Sequence, residues 1–187
     1  MSRRSIGNCI FNLKLMISFP DFVRDSIFSL AVHPELLPHF KLIPYVGSAF
    51  ATSRVPGTKA KNGFQFQKEE DFAWASNNKK ELPQTIWFQF EKAQNVVKMA
   101  FSSNKSGAKQ PRSFAIIASN ECVGNSVRVV LEVKEAGFVA GRPREAKAWK
   151  LPETSETFVC WGIKVESSQD SNVAIQNILM WEPRNWE

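Results

Sequence analysis

Tyrosine occurs once and histidine twice in this chain of 187 residues, and both histidines, His33 and His39, fall near the N-terminus. Residues 40–187 therefore hold no imidazole, the side chain most often used for proton transfer near neutral pH and for binding zinc. His33 and His39 stand six apart across Pro34 and Pro38, and with Glu35 they match no metal-ligand spacing. Cysteine is scarce as well: Cys9, Cys122 and Cys160 include no Cys-x-x-Cys pair. Cys122 and Cys160 read as free, buried thiols more readily than as a bonded pair, which weakens the case for an oxidising compartment. No Gly-x-Ser-x-Gly elbow and no glycine-rich phosphate loop occurs. Glu69, Glu70 and Asp71 form an acidic run that reads as a solvated turn, not as the two facing carboxylates of a glycosidase. No apolar run is long enough to cross a membrane. Arg3 and Arg4 precede an apolar stretch from Cys9 to Phe19, but Asn12 and Lys14 interrupt it and no small-residue cleavage site follows. These absences lead to the expectation of a non-enzyme with no cofactor and no metal, and they leave its compartment open.

Phenylalanine and tryptophan are abundant, with 15 and 6 copies. Large rings suit the space between packed sheets. The formal charge is +6 and the pI about 9.3. Such a balance favours acidic partners, such as sulfated glycans, anionic lipid, nucleic acid or acidic proteins. It also serves solubility alone, and the cations are spread along the chain. Basic and aromatic residues do not interleave as in single-strand grooves, which argues against nucleic acid.

Residues 1–46 differ from the rest. Ser18 or Asp21 can cap a helix, Pro20 suits its first turn, and Phe22, Val23, Ile27, Phe28, Leu30 and Ala31 give an apolar stripe. Pro34, Pro38 and Pro44 then break the pattern. The expectation is a short helix and a linker over 1–46, followed by one domain over 47–187. From residue 47 the period is two. Ile86, Phe88 and Phe90 share one face and Trp87, Gln89 and Glu91 the other. Val97, Met99 and Phe101 alternate likewise, as do Phe114, Ile116 and Ala118. So do Val127, Val129, Leu131 and Val133, and Trp161, Ile163 and Val165; Val173–Trp181 closes the series. Short strands at regular spacing predict an all-β sandwich. Its core should hold Phe88, Phe90, Met99, Phe101, Phe114, Ile116, Val129, Leu131, Ile163 and Val165. Trp74, Trp87 and Trp161 are expected in the interior as well.

Ala73-Trp74-Ala75-Ser76-Asn77-Asn78, followed by Trp87-Phe88-Gln89-Phe90, resembles the discoidin family, also called coagulation factor 5/8 type C domains. Ser48–Ser53, Arg112–Asn120, Trp161–Val165 and Val173–Glu182 resemble further segments of that family in the same order. Where the family carries Asp after the Trp-Leu-Gln-Val strand, this chain has Glu91 after Phe90. The resemblance implies a galactose-binding-like jelly-roll β-sandwich that binds through loops and catalyses nothing. Many extracellular members join the two ends of the domain by a disulfide, but no cysteine lies at the C-terminal end here.

The resemblance also implies where a ligand would sit. Three loops, 54–63, 77–80 and 104–112, occupy the positions of the family's ligand-contacting spikes. They carry Arg54, Lys59, Lys61, Asn77, Asn78, Lys79, Lys80, Lys105, Lys109 and Arg112 as candidate ligand-binding residues, eight of them cations. The expected partner is a glycan or an acidic surface protein. The alternative is an intracellular adaptor module of the same fold. Spike tips this polar do not suit stable membrane insertion, and lipid contact by charge alone is screened by salt. Fucose-binding members use a histidine with two arginines. The matched region here has no histidine, so that site is not carried over. Arg128 and Lys134 read as strand-borne cations away from the loops.

Overall fold

The computed structural model describes residues 40–44, 47–53, 60, 74–77, 81–103, 108–122, 126–142, 145–153, 155–170 and 172–184. The helix expected between residues 21 and 31 lies outside them. Among the described residues the regular elements are all strands: β1 (Phe40–Leu42), β2 (Gly47–Ala51), β3 (Trp74–Ala75), β4 (Gln84–Gln94), β5 (Lys98–Ser103), β6 (Pro111–Ser119), β7 (Arg128–Val133), β8 (Ala146–Lys150), β9 (Phe158–Ser168) and β10 (Ala174–Pro183).

They form two antiparallel sheets. The first has the order β1-β10-β5-β8, with β3 also paired to β10, and the second has the order β2-β4-β9-β6-β7. Pairing aligns the alternating apolar sets. Ile86 opposes Ile163 and Phe88 opposes Trp161, while Ile116 opposes Ile163 on the other side of β9. Their side chains therefore share one face and bury against the first sheet. Phe88, Phe90, Met99, Phe101, Phe114, Ile116, Ile163 and Val165 all lie in this core, as expected, together with Trp74 and Trp161. Phe101 stacks on Trp149 with ring centres 4.6 Å apart, and Phe114 meets the same ring edge-on at 4.8 Å.

One core assignment is corrected. Val129 is 50% exposed, and Leu131 is only partly buried at the margin of the core. The pairing of β6 with β7 slips between Ile116–Leu131 and Ile117–Val129, so an extra residue, Val130, is inserted. A β-bulge of this kind breaks the two-residue period. Val130 then packs against the core and Val129 turns outward. Three short strands, β1, β3 and β8, are additional to the expected set. β1 lies within the stretch read as a linker, where Phe40–Leu42 pairs with Pro183–Trp181 and Ile43 is buried in the core.

The outer face of the second sheet carries a smaller apolar cluster of Trp87, Ala115, Ile117, Cys122 and Cys160. Cys122 and Cys160 form a disulfide with Cα atoms 5.1 Å apart, which corrects the expectation of free thiols. Ser119 at the end of β6 pairs with Cys160, and Cys122 adopts a positive φ of 62° that turns the chain back toward it. In the same cluster Gly162 is the register partner of both Trp87 and Ile117. A Cβ on Gly162 would stand 2.8 Å from the Ile86 carbonyl oxygen and 2.8 Å from Trp87 Cε3. The indole therefore needs glycine beneath it. Gly162→Ala is expected to destabilise the domain by about 1–3 kcal/mol, as overpacking of a filled site does. Denaturant unfolding checks this, and an unchanged midpoint would show that Trp87 has room to move.

Candidate functional site

The roots of the three candidate loops come together through the hydrogen bonds of the segments that flank them. Ser53, at the base of loop 54–63, accepts from Trp74 Nε1 on its carbonyl at 3.0 Å and from the Asn77 amide on its hydroxyl at 3.1 Å. Ser76 and Val173 exchange two bonds: the Ser76 amide donates to the Val173 carbonyl at 2.9 Å, and the Val173 amide donates to Ser76 Oγ at 3.0 Å. Asn172 Nδ2 adds a bond to the Ser76 carbonyl at 3.3 Å. The Ala174 amide then donates to the Lys109 carbonyl at 2.9 Å. The described residues that border the candidate loops, Ser53, Asn77 and Lys109, are thus tied together at one end of the sandwich around the turn before β10. Ser76 and Asn172 are buried, so these bonds satisfy groups that would otherwise be costly to desolvate.

Of the ten candidate residues, Asn77, Lys109 and Arg112 are described. Asn77 and Lys109 are half-buried and Arg112 is exposed. Arg54, Lys59, Lys61, Asn78, Lys79, Lys80 and Lys105 lie outside the described residues.

The same end extends along the second sheet. The Gln169 amide donates to the Gln110 carbonyl at 2.9 Å, and Gln110 Nε2 donates to the Arg142 carbonyl at 3.1 Å. The Ala136 amide donates to the Arg112 carbonyl at 2.7 Å. These bonds draw the crossover between β7 and β8 against the start of β6. Between them lies a surface pocket of about 380 Å³ with Arg112, Lys134, Glu135, Phe138, Ser167 and Gln169 in its wall. Lys134, read from the alternation as strand-borne, lies just past β7 and faces this pocket. The sequence signal for the crossover is its turn glycines: Gly137 and Gly141 adopt φ values of 68° and 75°, where glycine is favoured. A second pocket, bordered by Phe40, Val97 and Pro183, lies toward the opposite end. Its cation, Lys150, is already paired with Glu153 at 3.0 Å. Lys98, near that same end, is held below the usual lysine range by burial and lies 5.0 Å from the Trp181 ring centre.

A scan against known protein families finds no match, and no curated protein matches the chain. Solved structures do match. The family 32 carbohydrate-binding module of NanJ from Clostridium perfringens, in complex with galactose, superposes with a TM-score of 0.62 at 19% identity, covering 76% of this chain and 99% of that one. The chain has the galactose-binding-like jelly-roll fold. The CBM32-5 module of CpGH89 from the same organism, in complex with GalNAc-β-1,3-galactose, gives a TM-score of 0.58 at 16% identity, covering 71% and 93%. The CBM32 of AlyQ, in complex with 4,5-unsaturated mannuronic acid, gives 0.58 at 15%, covering 75% and 97%. The galactose-binding-like architecture is that of discoidin domains too, so the fold implied by the Trp74 and Trp87 motifs is the fold observed.

Proposed function

We propose that this galactose-binding-like domain is a non-enzymatic module that recognises a glycan with the loops at one end of its sandwich. The observation that supports the reading is the hydrogen-bonded convergence of Ser53, Ser76–Asn77, Lys109 and Asn172–Ala174, the described residues from which the three candidate loops depart. Loops on a rigid sheet scaffold are the usual place for recognition. Arg54, Lys59, Lys61, Lys79, Lys80, Lys105, Lys109 and Arg112 would form a basic rim, and Asn77 and Asn78 would offer amide donors and acceptors to sugar hydroxyls. The fold is shared with modules described in complex with galactose, with GalNAc-β-1,3-galactose and with an unsaturated uronic acid. Fold alone does not fix a ligand, so the loops and their charge carry the argument. The Cys122–Cys160 disulfide favours this reading over the intracellular adaptor, since such bonds persist in oxidising compartments.

Replacing Lys59, Lys79 and Lys109 together by Glu is expected to lower affinity for a glycan identified on an array by tenfold or more. The thermal midpoint should move by no more than about 2 °C, because charges carried on loops outside the packed core add little to stability. Calorimetry at rising salt should show affinity falling, as surface contacts are screened within about 8 Å at physiological ionic strength. A triple variant that binds as tightly as the parent would remove the loop end as the binding site.

A further inference from the structure

The pocket between Arg112 and the β7–β8 crossover joins two unpaired cations to a polar wall. Several other cations of the described surface have carboxylate partners, Arg128 with Glu156, Lys147 with Glu145 and Lys164 with Glu166, whereas Lys92, Lys109 and Arg142 have none among the described residues. Arg112 and Lys134 have neither an ion pair nor a side-chain hydrogen bond among the described residues, and both are exposed to the pocket. Ser167 shares a hydrogen bond with Ser113 at 2.6 Å, and Gln169 donates through Nε2 to the Phe138 carbonyl at 3.2 Å. Glu135 adds an acceptor on the same wall. The frame is well held. Phe138 is buried against Phe101 and Trp149, Lys147 caps the turn by donating to the Gly137 carbonyl, and the Ala136 amide is bonded back to Arg112.

We propose that this pocket is a subsite for a sugar residue that bears a carboxylate or a sulfate, with Arg112 and Lys134 holding the anion. A neutral sugar gains little from two cations without counter-ions. An anionic substituent gains charge-assisted hydrogen bonds from both, and the guanidinium fork matches a carboxylate or sulfate edge. Because neither cation is already paired, no internal carboxylate has to be displaced first. Glu135, Ser167 and Gln169 are suited to ring hydroxyls, which both donate and accept. The volume falls within the range of about 300–1,000 Å³ usual for small-molecule sites. This inference rests on the glycan-binding reading and adds the class of sugar to it.

The test compares oligogalacturonate with a neutral galactose oligosaccharide of equal length, by calorimetry on the full chain. The parent is expected to prefer the acidic probe by about tenfold or more. Arg112→Gln and Lys134→Gln, made separately, should each reduce that acidic-to-neutral ratio severalfold. Arg128→Gln, at the far end of β7 and already paired with Glu156, should leave the ratio as it is. A sulfated galactose oligosaccharide tests the second anion, and preference for it should fall in the same two variants. Equal affinity of the parent for acidic and neutral probes would overturn the inference and leave the glycan-binding reading intact. Persistence of the preference in both variants would overturn it too, since acidity would then be read elsewhere. Polyaspartate bound as tightly as oligogalacturonate would show charge recognition without a sugar, and would also refute it. Failure to bind any oligosaccharide would instead remove the glycan-binding reading, and this subsite with it.

Discussion

Phe88→Ala should lower the unfolding free energy by about 3–5 kcal/mol, the usual cost of deleting a ring from a filled core. Phe88 has no exposed surface and sits in β4, an interior strand of the second sheet, paired with Ala49 on one side and Trp161 on the other. The ring has no route to relax toward solvent, so the cavity would persist. Val129→Ala is the matched control. Val129 is half exposed on β7, and its truncation should change stability by no more than about 0.5 kcal/mol. Urea titrations of the two variants test the inner and outer faces together. Similar losses for both would mean that the bulge at Val130 does not turn Val129 outward.

Loss of the Cys122–Cys160 disulfide should cost about 3–4 kcal/mol. The two cysteines are 38 residues apart, and a cross-link over a loop of that length removes about this much freedom from the unfolded chain in the chain-entropy account. For a domain of this size, the thermal midpoint should fall on the order of 10 °C when the bond is reduced. The double variant Cys122→Ala with Cys160→Ala should melt at that lower temperature and be indifferent to reductant. Alanine is preferable to serine there, because Cys160 is fully buried among Trp87, Ala115 and Ile117, where a hydroxyl would add a desolvation cost. Two alkylatable thiols at these positions in unreduced protein, or a midpoint unmoved by reductant, would count against the bond.

Much of the sandwich was legible because side-chain alternation is a local property. Ile86, Phe88 and Phe90 announce one buried face of β4 without reference to any partner, and the Phe114 and Trp161 series do the same for β6 and β9. The short strands were less legible. β8 places Lys147 on the same side as Phe101, where its chain lies along the sheet edge and its amine reaches Gly137 and the Phe138 ring. A cation at an inward position hides the apolar period, since the long stem buries while the charge stays near polar groups. Loop positions came only from family resemblance, and the structure describes three of the ten residues inferred from it.

What the amino-acid sequence determined by itself was therefore the period-two pattern, the aromatic stock of the core and the basic character of the loops. Tertiary structure decided what depends on a neighbour far away in the chain. The slip at Val130 is set by pairing with β6, and it turns Val129 outward. Cys122 meets Cys160 because β6 and β9 run side by side and the chain turns back after Ser119. Lys134 joins Arg112 because the crossover after β7 is bonded to the start of β6. In each case strand register and hydrogen bonds between distant segments fix the neighbour, and neither composition nor local spacing encodes that partner in a single sequence.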